Sequence, residues 1–423
     1  MIDFVKISLC LVFLSTSVGR QAVFSQTLPE YLGIAIKNNP SMQADYQAYL
    51  AAVEQVKQVS ALTDPQLSLG YFVNPIETRV GPQRGRFSIR QPLPWWGETG
   101  ARRTVAVQQA EKQLAQFLMA RKQVVLQVKT AYYVLYTTFQ DIALTQKNIE
   151  ILTFYERLAT QKYENNLATM VDILRVQMQV REEQHKLKSL QQQVIAQRTV
   201  FNKLLNRPAD AAVEIDSSMQ KSLGATDSLL WQQKMIANHP LLTISKAERA
   251  LKAEQINIAR LNNKPNIGVG LDYALIGQRN GFEVENNGRD AIMPMISFTL
   301  PIFNQKRNDA VVRQAQLLDE GAEQARLATE NQLITKLSQA VSAYQVAKDK
   351  VQLYQDQVKS VQQAISISIS VYQANSQNLE DVLEFQQRLL KYQMALNQAK
   401  LQLQIVLAQI EELTEENEYN EEY

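Results

Sequence analysis

The chain has 423 residues, 45% of them hydrophobic and 20% charged, which excludes a disordered polymer and leaves enough apolar side chains for a sizeable core. Its formal net charge is +2, with Lys and Arg interleaved with Asp and Glu. No basic stripe exists for nucleic acid, so no nucleic-acid partner is expected.

Residues 1–25 read as a secretory signal. Lys6 precedes an apolar stretch from Ile7 to Leu14, and cleavage is placed after Ser25. The single cysteine, Cys10, lies inside that stretch and is expected to leave with it, so the mature chain has no disulfide and no thiolate ligand. No later segment offers the ~20 consecutive apolar residues of a membrane helix. Any membrane insertion must use strands.

The remainder is written twice, as residues 26–208 and 225–412, joined by a linker over 209–224 and followed by an acidic tail over 413–423; the Glu-rich run from Glu411 to Tyr423 reads as a solvated, poorly ordered end. Asn39-Pro40 and Asp64-Pro65 recur with the same separation as His239-Pro240 and Lys264-Pro265. Ala131-Tyr132 recurs as Ala343-Tyr344, and Tyr163 to Leu174 matches Tyr372 to Leu383. Each half opens with helix-like spacing, in the first from Tyr31 to Thr63 with a break near Pro40. The period then drops to two. Over 65–92, Leu67, Leu69, Tyr71 and Val73 form one stripe and Phe87 and Ile89 a second, with Asn74-Pro75 and Gly81-Pro82 marking a loop between them. Over 265–300 the stripes are Ile267, Val269, Leu271 and Tyr273, then Ile296, Phe298 and Leu300, around a loop from Gly277 to Gly288. Four strands result.

Prolines and glycines then turn each strand pair into a very long Ala, Gln, Leu and Lys segment, giving helical hairpins over 102–206 and 305–410. A helix from Arg102 to Asn165 alone would reach roughly 95 Å at ~1.5 Å per residue. Helices of that length survive by packing along one another, as in coiled coils. Ile365-Ser-Ile-Ser-Ile369 alternates like a strand but is expected to be helical because both flanks are.

Four strands cannot close a barrel, and an open edge in lipid costs several kcal/mol for each unpaired backbone group. The alternation alone also suits a soluble sheet. Joined to a signal and two long hairpins it points to an oligomeric outer-membrane barrel with its polar face on a wet lumen.

The duplicated strand pair and hairpin, with Tyr163 to Asp172 and Leu174 and again Tyr372 to Asp381 and Leu383 at the hairpin tips, resembles the TolC-like outer-membrane efflux family over essentially the whole mature chain. The block Asn74 to Arg79, Gly81-Pro82-Gln83 and Pro94-Trp95-Trp96-Gly97 is similar to its heavy-metal, cation efflux branch. The resemblance implies a mainly α protein with a membrane β-barrel, assembled as a homotrimer with a 12-strand β-barrel and a 12-helix periplasmic α-barrel. It implies an outer-membrane location among lipid, a periplasmic adaptor and an inner-membrane pump of the RND type as partners, and efflux of small solutes, metal cations among them.

The resemblance places adaptor contacts at the hairpin tips, Tyr163, Asn166, Tyr372 and Asn375, where Asn166 and Asn375 stand for the usual glycine. Asn tolerates the left-handed conformation that ends a helix. It places a periplasmic gate of acidic rings at Asp381 and Glu384, which share one helical face, with Asp172 and Arg175 at the matching positions of the first half. Asp381 equally suits the first turn of a helix as a partner of its dipole, and Arg175 suits an ion pair with an acid in a closed state. Trp95 and Trp96 fit either an interfacial aromatic belt or packing at the strand-to-helix turn. Met293 and Met295 fit either a lumen that meets soft metal ions or apolar filler.

No catalytic constellation is present, and neither an enzyme nor a cofactor is expected. His185 lies in a charged helical stretch, and His239 precedes a proline at a helix start. Gly268-Val-Gly270 lacks the third glycine of a dinucleotide loop and fits a strand with close backbone approach. Two readings stand beside efflux: the same fold serving protein secretion, and a periplasmic helical-hairpin adaptor or scaffold.

Overall fold

The computed structural model describes residues 27–215, 228–281, 285–301, 303, 305–375 and 379–415; the expected signal segment, with Cys10, lies outside the described residues. In chain order the first half is α1 (Leu28–Asn38), α2 (Pro40–Ser60), β1 (Gln66–Thr78), β2 (Gly81–Leu93), α3 (Glu98–Glu164) and α4 (Met170–Leu204). The second repeats it as α5 (Ser228–Asn238), α6 (Pro240–Leu261), β3 (Asn266–Ile276), β4 (Ala291–Thr299), α7 (Gln305–Asn375) and α8 (Leu379–Thr414).

The shared start signal of the halves has one mechanism. Asn39 caps α2 by accepting from Ser41 N at 3.1 Å and Met42 N at 3.3 Å, and His239 caps α6 by accepting from Leu241 N at 3.2 Å through Nδ1. Pro40 and Pro240 follow at the first helical position, where a missing N–H costs nothing. α3 has 67 residues and α7 has 71, each roughly 100 Å at ~1.5 Å rise. Ile365 to Ile369 are helical within α7, with Ile365 buried and Ile367 exposed.

Neighbouring contacts lay the long helices side by side in the order α4, α3, α8, α7, with α2 and α6 flanking the other end of α3 and α7. Two equivalent clusters hold each half. Tyr31 meets the Phe201 ring edge-on at 5.0 Å and packs with Tyr132, Leu135 and Val128; its counterpart gathers Met235, Leu333, Leu337, Tyr344 and Ile410. A third cluster, with Tyr155, Ile173, Val176, Tyr372, Val382 and Leu383, joins the two hairpin tips.

The strands form a single antiparallel sheet in the order β1-β2-β3-β4. One expectation is corrected. Asn74-Pro75 is no loop: β1 continues through it to Thr78, and β2 begins at Gly81. The register shifts between Tyr71 and Ile76, and this bulge on an edge strand accepts a proline that cannot donate to a ladder.

The junctions also differ from a free linker and a free tail. Asn202 Nδ2 donates to Ala209 O at 3.1 Å and to Ala211 O at 2.9 Å, and Glu214 N donates to the Tyr31 hydroxyl at 3.0 Å. Residues 209–215 are thus fastened to the first core; 216–224 lie outside the described residues. α8 runs to Thr414 with Leu413 and Thr414 buried, because Lys122 donates to Glu412 O at 2.8 Å and Glu415 O at 2.7 Å and Lys129 pairs with Glu411 at 2.5 Å. Lys122 of α3 thus satisfies carbonyls that end α8, and Lys129 holds a carboxylate of its last turn. Residues 416–423 lie outside the described residues.

Candidate functional site

Directly paired residues of a sheet share a face, so the register sorts its side chains. One face carries the rows Leu69, Phe87, Tyr273, Ile292 and Leu67, Ile89, Leu271, Pro294, continued by Val269 and Ile296 and by Ile267 and Phe298. Among the described residues nothing covers it: Leu69 is 68% exposed, Tyr71 80% and Ile296 68%. A soluble sheet buries such a stripe, so this face is built for lipid.

The opposite face carries Gln66, Arg90, Gly270 and Met295 in one row and Ser68, Ser88, Asp272 and Met293 in the next. Asp272, 4% exposed, accepts from the Arg86 guanidinium and from the Ser88 hydroxyl. Met293 and Met295 lie on this polar face. Gly270 permits the close approach expected of it, since a Cβ there would sit 2.9 Å from Ile89 O and 3.2 Å from Arg90 Cγ. The Arg86, Ser88 and Asp272 network was missed from sequence. Its signal was an Asp at a wet position of a strand that after Asn266 is otherwise glycine, apolar residues and a tyrosine.

At the end of the sheet nearest the hairpins, Trp95 and Trp96 stand edge-to-face at 5.1 Å between β2 and α3, with Trp96 74% exposed. Phe303, in the matching turn before α7, is 93% exposed and was not singled out from sequence.

The tips lie at the far end of the hairpins. α3 closes through Asn166, whose φ of 59° is left-handed and whose N–H donates to Tyr163 O at 2.9 Å, while Leu167 N donates to Lys162 O at 2.8 Å. Asn375 is the last residue of α7. The tips grip each other: Lys162 Nζ reaches Tyr372 O at 2.5 Å and stands 4.2 Å from the centre of its ring. Tyr372 is buried, and burial, with Asp172 adding to it, pushes its hydroxyl above the ordinary range.

Asp172 accepts from Thr169 N at 2.9 Å and Thr169 Oγ1 at 2.8 Å, a reciprocal cap on α4. Arg175 pairs at 2.7 Å with Glu380, an acid not singled out from sequence. Asp381 is exposed in the first turn of α8, and Glu384 pairs with Arg388 at 2.5 Å. The structure therefore brings Arg175 to Glu380 at the start of α8, ties Glu384 along its own helix and gives Asp172 a local partner. His185 is exposed, and among the described residues no cluster of His, Cys, Asp and Glu could hold a metal ion.

Residues 31–207 and 231–415 match the model of the outer membrane efflux protein family, one block for each half. The chain belongs to that family. Its place is the outer membrane, with the helical hairpins extending into the periplasm. This efflux protein has no match among curated proteins. Solved structures share its fold. VceC of Vibrio cholerae is 18% identical over 92% of this chain and 96% of its own, with a TM-score of 0.74. A membrane protein of Pseudomonas aeruginosa is 17% identical over 92% of each chain, with a TM-score of 0.76. CusC, described through its folding and transmembrane channel formation, is 14% identical over 93% of this chain and 96% of its own, with a TM-score of 0.75.

Proposed function

We propose that three copies of this efflux protein close into one duct, a twelve-strand barrel continued by a twelve-helix tunnel, that carries small solutes out of the periplasm as the outer component of a pump and adaptor assembly. The uncovered apolar face on a sheet with two open edges carries this reading. β1 and β4 each need a partner strand, and α4 and α7 are the outermost helices on opposite sides of the protomer. One side of a copy therefore meets the other side of the next, and a head-to-tail contact whose rotation closes makes a ring without open edges.

The tips supply the entrance. Three copies bring Asp381 and Glu384 together as rings of carboxylates whose repulsion favours opening, while the Arg175 to Glu380 pair holds the two hairpins of each copy together. Tyr163, Asn166, Tyr372 and Asn375 form the rim offered to an adaptor. Trp95 and Trp96 mark the membrane interface on the periplasmic side. Single-channel conductance of the wild type and of Asp381→Asn/Glu384→Gln tests the entrance. Pores whose conductance rises in the double variant are expected; folded trimers that form no pore sink the duct, and pores indifferent to the change remove these residues from the gate.

Metal cations are the finer reading of the cargo, and its support is the block of residues 74–83 and 94–97. Loss of the gene should lower tolerance to copper, zinc, cobalt or silver. Unchanged metal tolerance with drug tolerance lost would assign the duct to organic solutes.

A further inference from the structure

We infer that the barrel lumen is an anion-favouring stretch, and that Arg90 sets this preference. The inference rests on the duct reading, because it takes the polar face of the sheet as the wall of a water-filled barrel. From the row Gln66, Arg90, Gly270, Met295 to the row Gly70, Arg86, Ala274, Ala291, the only charged side chains on that face are Arg86, Arg90 and Asp272. They are not equivalent. Asp272 is buried, and its carboxylate is held by Arg86 and by the Ser88 hydroxyl, so these two charges offset each other within the wall. Arg90 is exposed and makes no hydrogen bond or ion pair among the described residues.

The neighbours of Arg90 leave it room, and it acts on the Asp272 carboxylate only as a charge at a distance, without a hydrogen bond or ion pair. Gln66 and Gly270 stand beside it, Met295 lies beyond Gly270, and the missing Cβ of Gly270 leaves space where the Arg90 stem passes. With two guanidinium groups against one carboxylate, each copy thus adds a net positive charge to this stretch of the wall, with Arg90 its exposed bearer. Threefold assembly makes a ring of three guanidinium groups in a confined aqueous lumen, where like charges reinforce one field. A bare divalent cation meets repulsion there. Organic anions, neutral solutes and metal ions carried in anionic complexes do not.

The ring stands at the opposite end of the duct from the carboxylates of the tips, so conductance alone would mix the two. A local probe separates them. Cys10 is the only cysteine in the chain, so Gln66→Cys in a Cys10→Ser background places one thiol on the strand beside Arg90, about 5 Å away across the ladder. Its rates of modification by an anionic and by a cationic methanethiosulfonate reagent are measured in lipid vesicles, with and without Arg90→Gln. The expected result is an anionic-to-cationic rate ratio that falls about threefold or more in Arg90→Gln and is kept by Arg90→Lys. A ratio unmoved by Arg90→Gln overturns the role of Arg90 and leaves the duct intact. A thiol inert to both reagents in the folded protein, yet reactive after denaturation, removes the water-filled lumen itself and takes the duct reading with it.

Discussion

Asp141 is a buried carboxylate in the seam where the two halves meet. It accepts from Asn397 Nδ2 at 2.7 Å across the α3 and α8 interface, and nearby Asn148 accepts from Gln386 at 2.8 Å. Polar pairs of this kind fix which residues of two long helices face each other, because a slip leaves buried groups without partners. Burial raises the Asp141 carboxyl above its ordinary value, and the Asn397 bond and Lys186 only partly oppose that rise. The sign follows from proton linkage. Below the unfolded-state value both states are protonated and Asp141 contributes nothing; between the unfolded and folded values the native state keeps a proton the unfolded state has lost, so stability falls as pH rises, and the penalty is complete above the folded value. Asp141→Asn keeps an acceptor for Asn397 and removes the charge. It should raise the midpoint of thermal unfolding at pH 7 by about 1 °C or more, with the gain fading toward pH 4. A gain that is the same at both values, by calorimetry, would show that the charge is not its source.

At the scale of elements, the sequence spelled out what depends on local chemistry. The helix starts at Asn39-Pro40 and His239-Pro240, the period-two stripes and the left-handed Asn166 are decided by a few neighbouring residues, and all stand where the pattern put them. Pro75 misled because a proline ends a central strand but not a bulged edge, and sequence alone does not say which strand is the edge. Glu411 and Glu412 misled for a similar reason. Acidic residues at a chain end suggest a solvated tail until Lys122 and Lys129, far away in the sequence, come alongside α8. The same holds in the candidate sites: Arg86 with Asp272 and Arg175 with Glu380 are pairs between the two halves, so only the folded register makes them neighbours. The tip positions were legible as a motif. Their partners were not.

For the whole molecule, the decisive feature is what the single chain leaves uncovered. On α7, Val311, Leu318, Val346, Leu353 and Ile367 fall in one heptad phase, and all are exposed, Leu353 at 50% and Ile367 at 66%. α8 covers a different face of α7, so this stripe is a second seam with no partner in the protomer. On the opposite flank, α4 exposes Val171, Leu174, Met178 and Ile195, again at heptad-compatible positions. Two apolar stripes on opposite sides of one protomer suit a neighbouring copy, and with the open edges of β1 and β4 they support the ring proposed above. Val346→Lys/Leu353→Lys places two charges in that seam without touching the cores inside each half. In mild detergent the wild type should elute as trimers and the double variant as folded monomers, by light scattering and circular dichroism. Intact trimers of the double variant would place the α7 stripe against something other than the next copy.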